Sequence, residues 1–179
     1  KKVPEAARYF EKAASLMESD YHVAGMLITC YQALGDLEGV RRAAQMTQER
    51  AERAVAQDAS NGAALAFGAI SLGVLGDPQR APEWVDRALL IDPDNLTMRY
   101  NLACSLATYL GDGEAAIDVL AAYFDRVSES ELKHCAVDPD IDPIREHPRF
   151  RQMVAEAEAR IGQRSEPAVE MQVPPPAVA

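Results

Sequence analysis

The tripeptide Leu-Gly-Asp occurs at 34–36, 75–77 and 110–112. Each copy closes one helical pattern and opens the next. The stretch GAALAFGAISLGVLGDPQRAPEWVDRALLIDPDN, residues 62 to 95, shows the whole unit in 34 residues. Its first half reads as a helix whose apolar residues include Leu65, Ile70 and Leu72. Gly76 then offers the left-handed backbone that ends a helix, Asp77 can cap the next one, and Pro78 suits its first turn. Ala81, Trp84, Val85, Ala88 and Leu89 recur at helical spacing, and Asp92-Pro93 stops the second helix. A chain built on this rhythm is a series of helix–turn–helix units. Its composition agrees: 48% of residues are hydrophobic but only 6% aromatic, which favours closely packed helices over sheets.

The 62–95 segment resembles the tetratricopeptide repeat, a 34-residue helix–turn–helix unit. Ala69 stands at the small eighth position, Gly76 at the turn, Ala81 and Ala88 at the second-helix alanines and Pro93 at the terminal proline. Small residues at such places let helices approach, and larger ones would overpack by roughly 1–3 kcal/mol. The resemblance implies an all-α, right-handed superhelical repeat, a solenoid of the tetratricopeptide type with a C-terminal capping helix.

The unit from Leu96 fits with one extra residue before its turn. Tyr100, Leu102, Ala103 and Leu106 form its first helix, and Ala116, Leu120 and Tyr123 face inward from its second. The unit from Tyr21 carries Cys30, Tyr31, Leu34 and Gly35 in place, but Gly35 and Gly76 lie 41 residues apart, seven more than the repeat. AERAVAQDASN (51–61) aligns with VDRALLIDPDN (85–95), so the surplus precedes residue 51. Seven residues are about two turns, which predicts one long helix from Glu38 to Gln57.

Residues 4 to 18 match only a second helix, through Ala6, Phe10 and Ala13, as expected of a fragment of a longer chain. The expected organisation is therefore a truncated repeat over 1–20 and three units over 21–61, 62–95 and 96–128. A capping region over 129–162 and a proline-rich tail over 163–179 follow.

DPDIDPIREHPRF, residues 138–150, begins like a calcium loop, with Asp138, Asp140 and Asp142 at alternating positions. Such a loop needs glycine sixth and glutamate twelfth; Pro143 and Arg149 stand there instead. The stretch reads as architecture. Ile141 and Ile144 tuck into the last repeat, and His147 caps a final helix that starts at Pro148 and is striped by Phe150, Met153, Val154, Ala157 and Ile161.

His22, His134 and His147 form no zinc spacing, and no glycine-rich phosphate loop occurs. No cofactor, metal or catalytic constellation is expected. The net charge of −10 disfavours nucleic acid, and no apolar run is long enough to span a membrane. Three scattered cysteines suit a reducing, cytoplasmic setting.

In tetratricopeptide arrays the first helices line a concave groove. Carried over, the first full unit supplies His22, Gly25, Thr29, Gln32 and Ala33. The second supplies Ala63, Ala66, Ile70, Gly73 and Val74, and the third Thr97, Tyr100, Cys104, Ala107 and Thr108, with Asn101 at the family's groove asparagine. No lysine or arginine is among them, so the family's clamp for a peptide carboxylate is not expected. A neutral groove of small residues suits an apolar or helical segment of a protein or peptide, the chain's own tail, or another copy. Equally, these residues could serve only to pack the superhelix. The whole pattern is also similar to C-terminal repeat regions of bacterial signalling proteins, among them adenylate and guanylate cyclases and DNA-binding regulators. That similarity implies an interaction or scaffold role, or a regulatory one beside such a domain.

Overall fold

A computed structural model describes residues 2–165, and within them the chain is all-α, with no strand. Nine α-helices follow one another: α1 (Val3–Leu16), α2 (Tyr21–Leu34), α3 (Leu37–Gln57), α4 (Gly62–Leu75), α5 (Arg80–Ile91), α6 (Leu96–Ser105), α7 (Gly113–Phe124), α8 (Glu129–Val137) and α9 (Pro148–Ser165). No described helix is long and apolar enough to cross a membrane. The expectations for residues 166–179 lie outside the described residues.

The turns are built as their residues dictate. Gly35, Gly76 and Gly111 take φ of 70°, 74° and 66°, the left-handed backbone that glycine adopts without a steric cost. Aspartates then cap the helices that follow: Asp36 accepts from the Gly39 amide and Asp112 from that of Ala115. At the middle turn Asp77 accepts from the amides of Gln79 and Arg80, and regular helix starts only at Arg80. The long helix runs from Leu37 to Gln57, one residue from its expected start.

The extra residue of the third unit has a definite place. Leu106–Leu110 forms a π-helical turn at the end of α6, where one inserted residue widens the helix without breaking it. The turn glycine is thereby kept in position.

The capping region holds two helices rather than one. α8 starts at a reciprocal cap, in which the Ser128 hydroxyl accepts from the Glu131 amide and the Glu131 carboxylate accepts from the Ser128 amide. A 3₁₀ turn, Pro139–Ile141, leads on towards α9, whose start is supported by His147 Nδ1 accepting from the Arg149 amide at 3.3 Å. Ile141, Ile144 and Phe150 are buried.

α1 to α5 pack each on the next, as do α6 with α7 and α8 with α9, and α4 also packs on α2 and α6, giving a layer of alternate helices. Leu65, Leu102, Ile117 and Leu120 centre one continuous core, and Leu27, Ile28 and Val40 a smaller one beneath α1. Arginines tie distant helix ends together. Arg50, only 7% exposed, donates to the carbonyls of Ala14, Met17 and Asp20 at 2.8, 3.0 and 2.9 Å. Arg160 of α9 donates to Phe124 and Val127 at 2.9 and 3.0 Å. Each guanidinium satisfies carbonyls that a helix terminus leaves open and meets the negative end of its dipole.

Candidate functional site

The alternate helices α2, α4, α6 and α8 face one concave groove of about 550 Å³. Helical spacing explains its walls, since residues three, four and seven apart share a face. α2 contributes Gly25, Ile28, Thr29 and Gln32; α4 contributes Phe67 and Ile70; α6 contributes Thr97, Tyr100, Asn101 and Cys104. Gly25 matters because a Cβ there would stand 2.4 Å from Cδ1 of Phe67. Without it, the Phe67 ring lies over α2 and packs on His22 at 4.5 Å between centroids.

Of the residues read from the sequence, Gly25, Thr29, Gln32, Ile70, Thr97, Tyr100, Asn101 and Cys104 line this groove. Others do not. Ala66 and Ala107 are buried in the core, and Gly73 faces Ser105. Ala33 and Ala63 are exposed outside the lining, Val74 is half-buried, and His22 borders the groove only through its contact with Phe67. Thr108, on the π-helical turn, donates from Oγ1 to the Asp140 carbonyl at 3.2 Å.

The expectation of a neutral groove is corrected at one end. Glu131 and His134 of α8, then Asp138 and Asp140, close it, together with Tyr109 and Tyr123. The DPDIDPIREHPRF stretch, read as architecture alone, thus supplies two carboxylates to the lining. These residues were missed because α8 went unrecognised. Two signals marked it: Ser128 and Glu131 at capping-box spacing, and a further 34-residue step from Leu96, which lands on Ser130.

Asp138 organises this end. Its largely buried carboxylate accepts from the Tyr100 hydroxyl at 2.8 Å, lies 3.3 Å from His134 Nε2, and accepts from the Asp140 amide at 3.0 Å. Tyr100 stacks at an angle on Tyr123, with ring centroids 5.2 Å apart. Burial pushes the Asp140 carboxyl above its ordinary value, and the neighbouring charge of Asp138 adds to that. Burial, followed by the bond to Asp138, raises the Tyr100 phenol, and burial holds Tyr109 at about 12. Burial also raises the thiols of Cys104 and Cys135, the latter to about 11. A thiol kept protonated in this way is the opposite of an activated nucleophile. Among the described residues, no group of three or more His, Cys, Asp or Glu is arranged to hold a metal ion.

The chain matches no protein-family model, no curated protein and no solved structure. The tetratricopeptide resemblance therefore rests on its own residues. So does any reading of the groove, which is concave, holds polar side chains with no hydrogen bond among the described residues, and has one apolar and one acidic end.

A second depression, of about 640 Å³, lies between α8 and α9 and is lined mainly by apolar side chains such as Leu132, Phe150 and Val154. Of its six charged lining residues, Glu129 and Lys133 pair with each other, as do Glu146 and Arg151.

Proposed function

We propose that this chain is a tetratricopeptide-like superhelical array that holds a segment of a partner protein along the groove of α2, α4, α6 and α8. The observation that carries the reading is the state of the groove's polar side chains. Those of Thr29, Gln32, Thr97 and Asn101 line the groove and make no hydrogen bond within the described residues. All four are exposed, so their donors and acceptors are open to a ligand rather than spent on packing the helices. Spaced by helical turns, they offer donors and acceptors to the backbone of a segment lying across the helices. Phe67, Ile28 and Ile70 supply apolar contact beside them. The raised thiols and the absence of a nucleophile–base pair in the lining favour binding over catalysis.

The test is selection of peptides from a random display library on the immobilised 179-residue chain, followed by single exposed-site variants. Thr29→Arg and Asn101→Arg are expected to abolish capture of the selected peptides, whereas Leu90→Ser, on the exposed face of α5, leaves it intact. Capture that survives both groove variants would overturn the proposal.

A further inference from the structure

Among the described residues, the basic group at the acidic end of the groove is His134, whose Nε2 lies 3.3 Å from the Asp138 carboxylate. Glu131, Asp138 and Asp140 line that end, and no lysine or arginine does. Two of these carboxylates are occupied. That of Glu131 accepts from the Ser128 amide and hydroxyl, and that of Asp138 from Tyr100 and the Asp140 amide. The Asp140 carboxylate takes part in no hydrogen bond or ion pair among the described residues.

A second, independent feature points to a ligand. Tyr123 is only 3% exposed, yet its hydroxyl has no hydrogen-bond partner among the described residues, and the residue lines the groove. No buried side-chain oxygen or nitrogen in the described residues is left unbonded and sealed from the surface. The hydroxyl therefore opens into the groove rather than into the core. The Tyr123 ring packs on that of Tyr100, and Tyr109 lines the same groove. Carboxylates beside tyrosine faces and an open hydroxyl attract one class of group: an organic cation, which meets negative charge, ring quadrupole and acceptor at once. An anionic ligand would be repelled by the same wall.

We infer that this end of the groove is a pocket for a cationic side chain, a lysine or arginine of the bound segment, received by Asp140 and Tyr123 against the rings of Tyr100 and Tyr109. The inference rests on the groove being a peptide site and adds which peptides it takes: those with a cation at one end and apolar residues at the other, where Phe67 and Ile70 lie. Burial and Asp138 make the Asp140 charge costly in the empty groove, and a bound cation removes that cost. The net charge of −10 also speeds the approach of a basic partner.

Two probes test this on the full chain. The first is N-acetyl-lysine methylamide, compared with the norleucine analogue, which has the same chain without charge. Added to the ¹⁵N-labelled protein, the lysine probe is expected to shift amides around Asn101, Glu131 and Asp140 saturably, and the norleucine probe is not. The second is the set of display-selected peptides, expected to share a lysine or arginine whose replacement by norleucine weakens binding about ten-fold or more. Asp140→Asn should weaken it equally while leaving the fold intact, since that carboxylate makes no bond to lose. Tyr123→Phe should give a smaller loss. Peptides that bind in the groove without a conserved cation, or that ignore Asp140→Asn, overturn the cation pocket and leave the groove reading standing. Lysine-probe shifts without any selected peptide support the pocket and overturn the peptide groove. With neither, both fall.

Discussion

The Tyr100 hydroxyl donates to the Asp138 carboxylate at 2.8 Å across 38 residues of chain, and so fastens α6 to the segment that follows α8. The same carboxylate accepts from the Asp140 amide, so one side chain both braces the 3₁₀ turn and sets the acidic end of the groove. Tyr100→Phe keeps the ring and removes the donor. It is expected to lower stability by about 1–2 kcal/mol in urea unfolding, as for a hydrogen bond to a charged group. An unchanged midpoint would show that the bond holds nothing.

Arg50 shows a comparable dependence on shape. Its guanidinium reaches three carbonyls in the α1–α2 connection and at the end of α1, which a lysine ammonium on a flexible stem cannot reproduce. Arg50→Lys is expected to cost about 1–3 kcal/mol and to release α1 first. Hydrogen exchange should then rise over residues 3–16 while α4 and α5 stay protected; uniform exchange would count against a local role.

Two glycines face rings with different freedom. A Cβ on Gly68 would meet Trp84 at 2.1 Å, and one on Gly25 would meet Phe67 at 2.4 Å. Trp84 is packed in the core, whereas Phe67 is half-buried at the groove. Gly68→Ala should therefore cost about 1–3 kcal/mol by overpacking and shift the emission of the chain's one tryptophan. Gly25→Ala should cost less, because Phe67 can turn aside. Equal losses would contradict this.

The π-helical turn at Leu106–Leu110 exists because α6 carries one residue more than an α-helix fits between its start and Gly111. Deleting Thr108 should close it into an α-turn. Helix content by circular dichroism is expected to hold, with stability changed by no more than about 2 kcal/mol. The register shift should carry Tyr109 away from the acidic end of the groove. Contacts between the Tyr109 ring and the Asp140 segment in nuclear Overhauser spectra would vanish; their persistence would show that the widened turn does not place that ring.

Two carboxyls respond oppositely to pH. Glu52 is held below its ordinary 4.5, first by its bond from Arg80 and then by that from Gln48. Its contribution is present above that ordinary value and is lost as pH falls through the depressed one. Asp140 is raised above its ordinary 3.8, so the folded state binds that proton more tightly than the unfolded chain. Stability then declines as pH rises from 3.8 through the raised value. Asp140→Asn should accordingly be more stable than wild type near neutrality, and the advantage should disappear below about pH 4. Thermal melts of both proteins across pH 3.5–7 check the sign, and a gap that widens on acidification would reverse it.

Much of the helix order could be read from spacing alone. Leu-Gly-Asp located three turns because glycine is the residue that tolerates the left-handed closing position and aspartate readily caps the next helix, whatever surrounds them. The long α3 followed from a count of residues, since two added turns preserve a helix's inward face. Several groove positions, Thr29, Thr97 and Asn101 among them, came instead from the tetratricopeptide resemblance, which assigns them by their place in the repeat. α8 was not recognised, although Ser128 and Glu131 marked its start, because its short apolar pattern carries little signal beside two neighbouring prolines.

What the sequence by itself determined was local: the turns, the helix lengths and the face each helix buries, all set by backbone sterics and a 3.6-residue period. Only tertiary structure decided that Asp138 and Asp140 meet Tyr100, Tyr109 and Tyr123 at one end of a groove. That meeting depends on how the 3₁₀ turn lies against α6 and the π-helical turn, a matter of packing between residues some 30 apart that no local pattern encodes. It turned a groove expected to be neutral into one with an acidic pole.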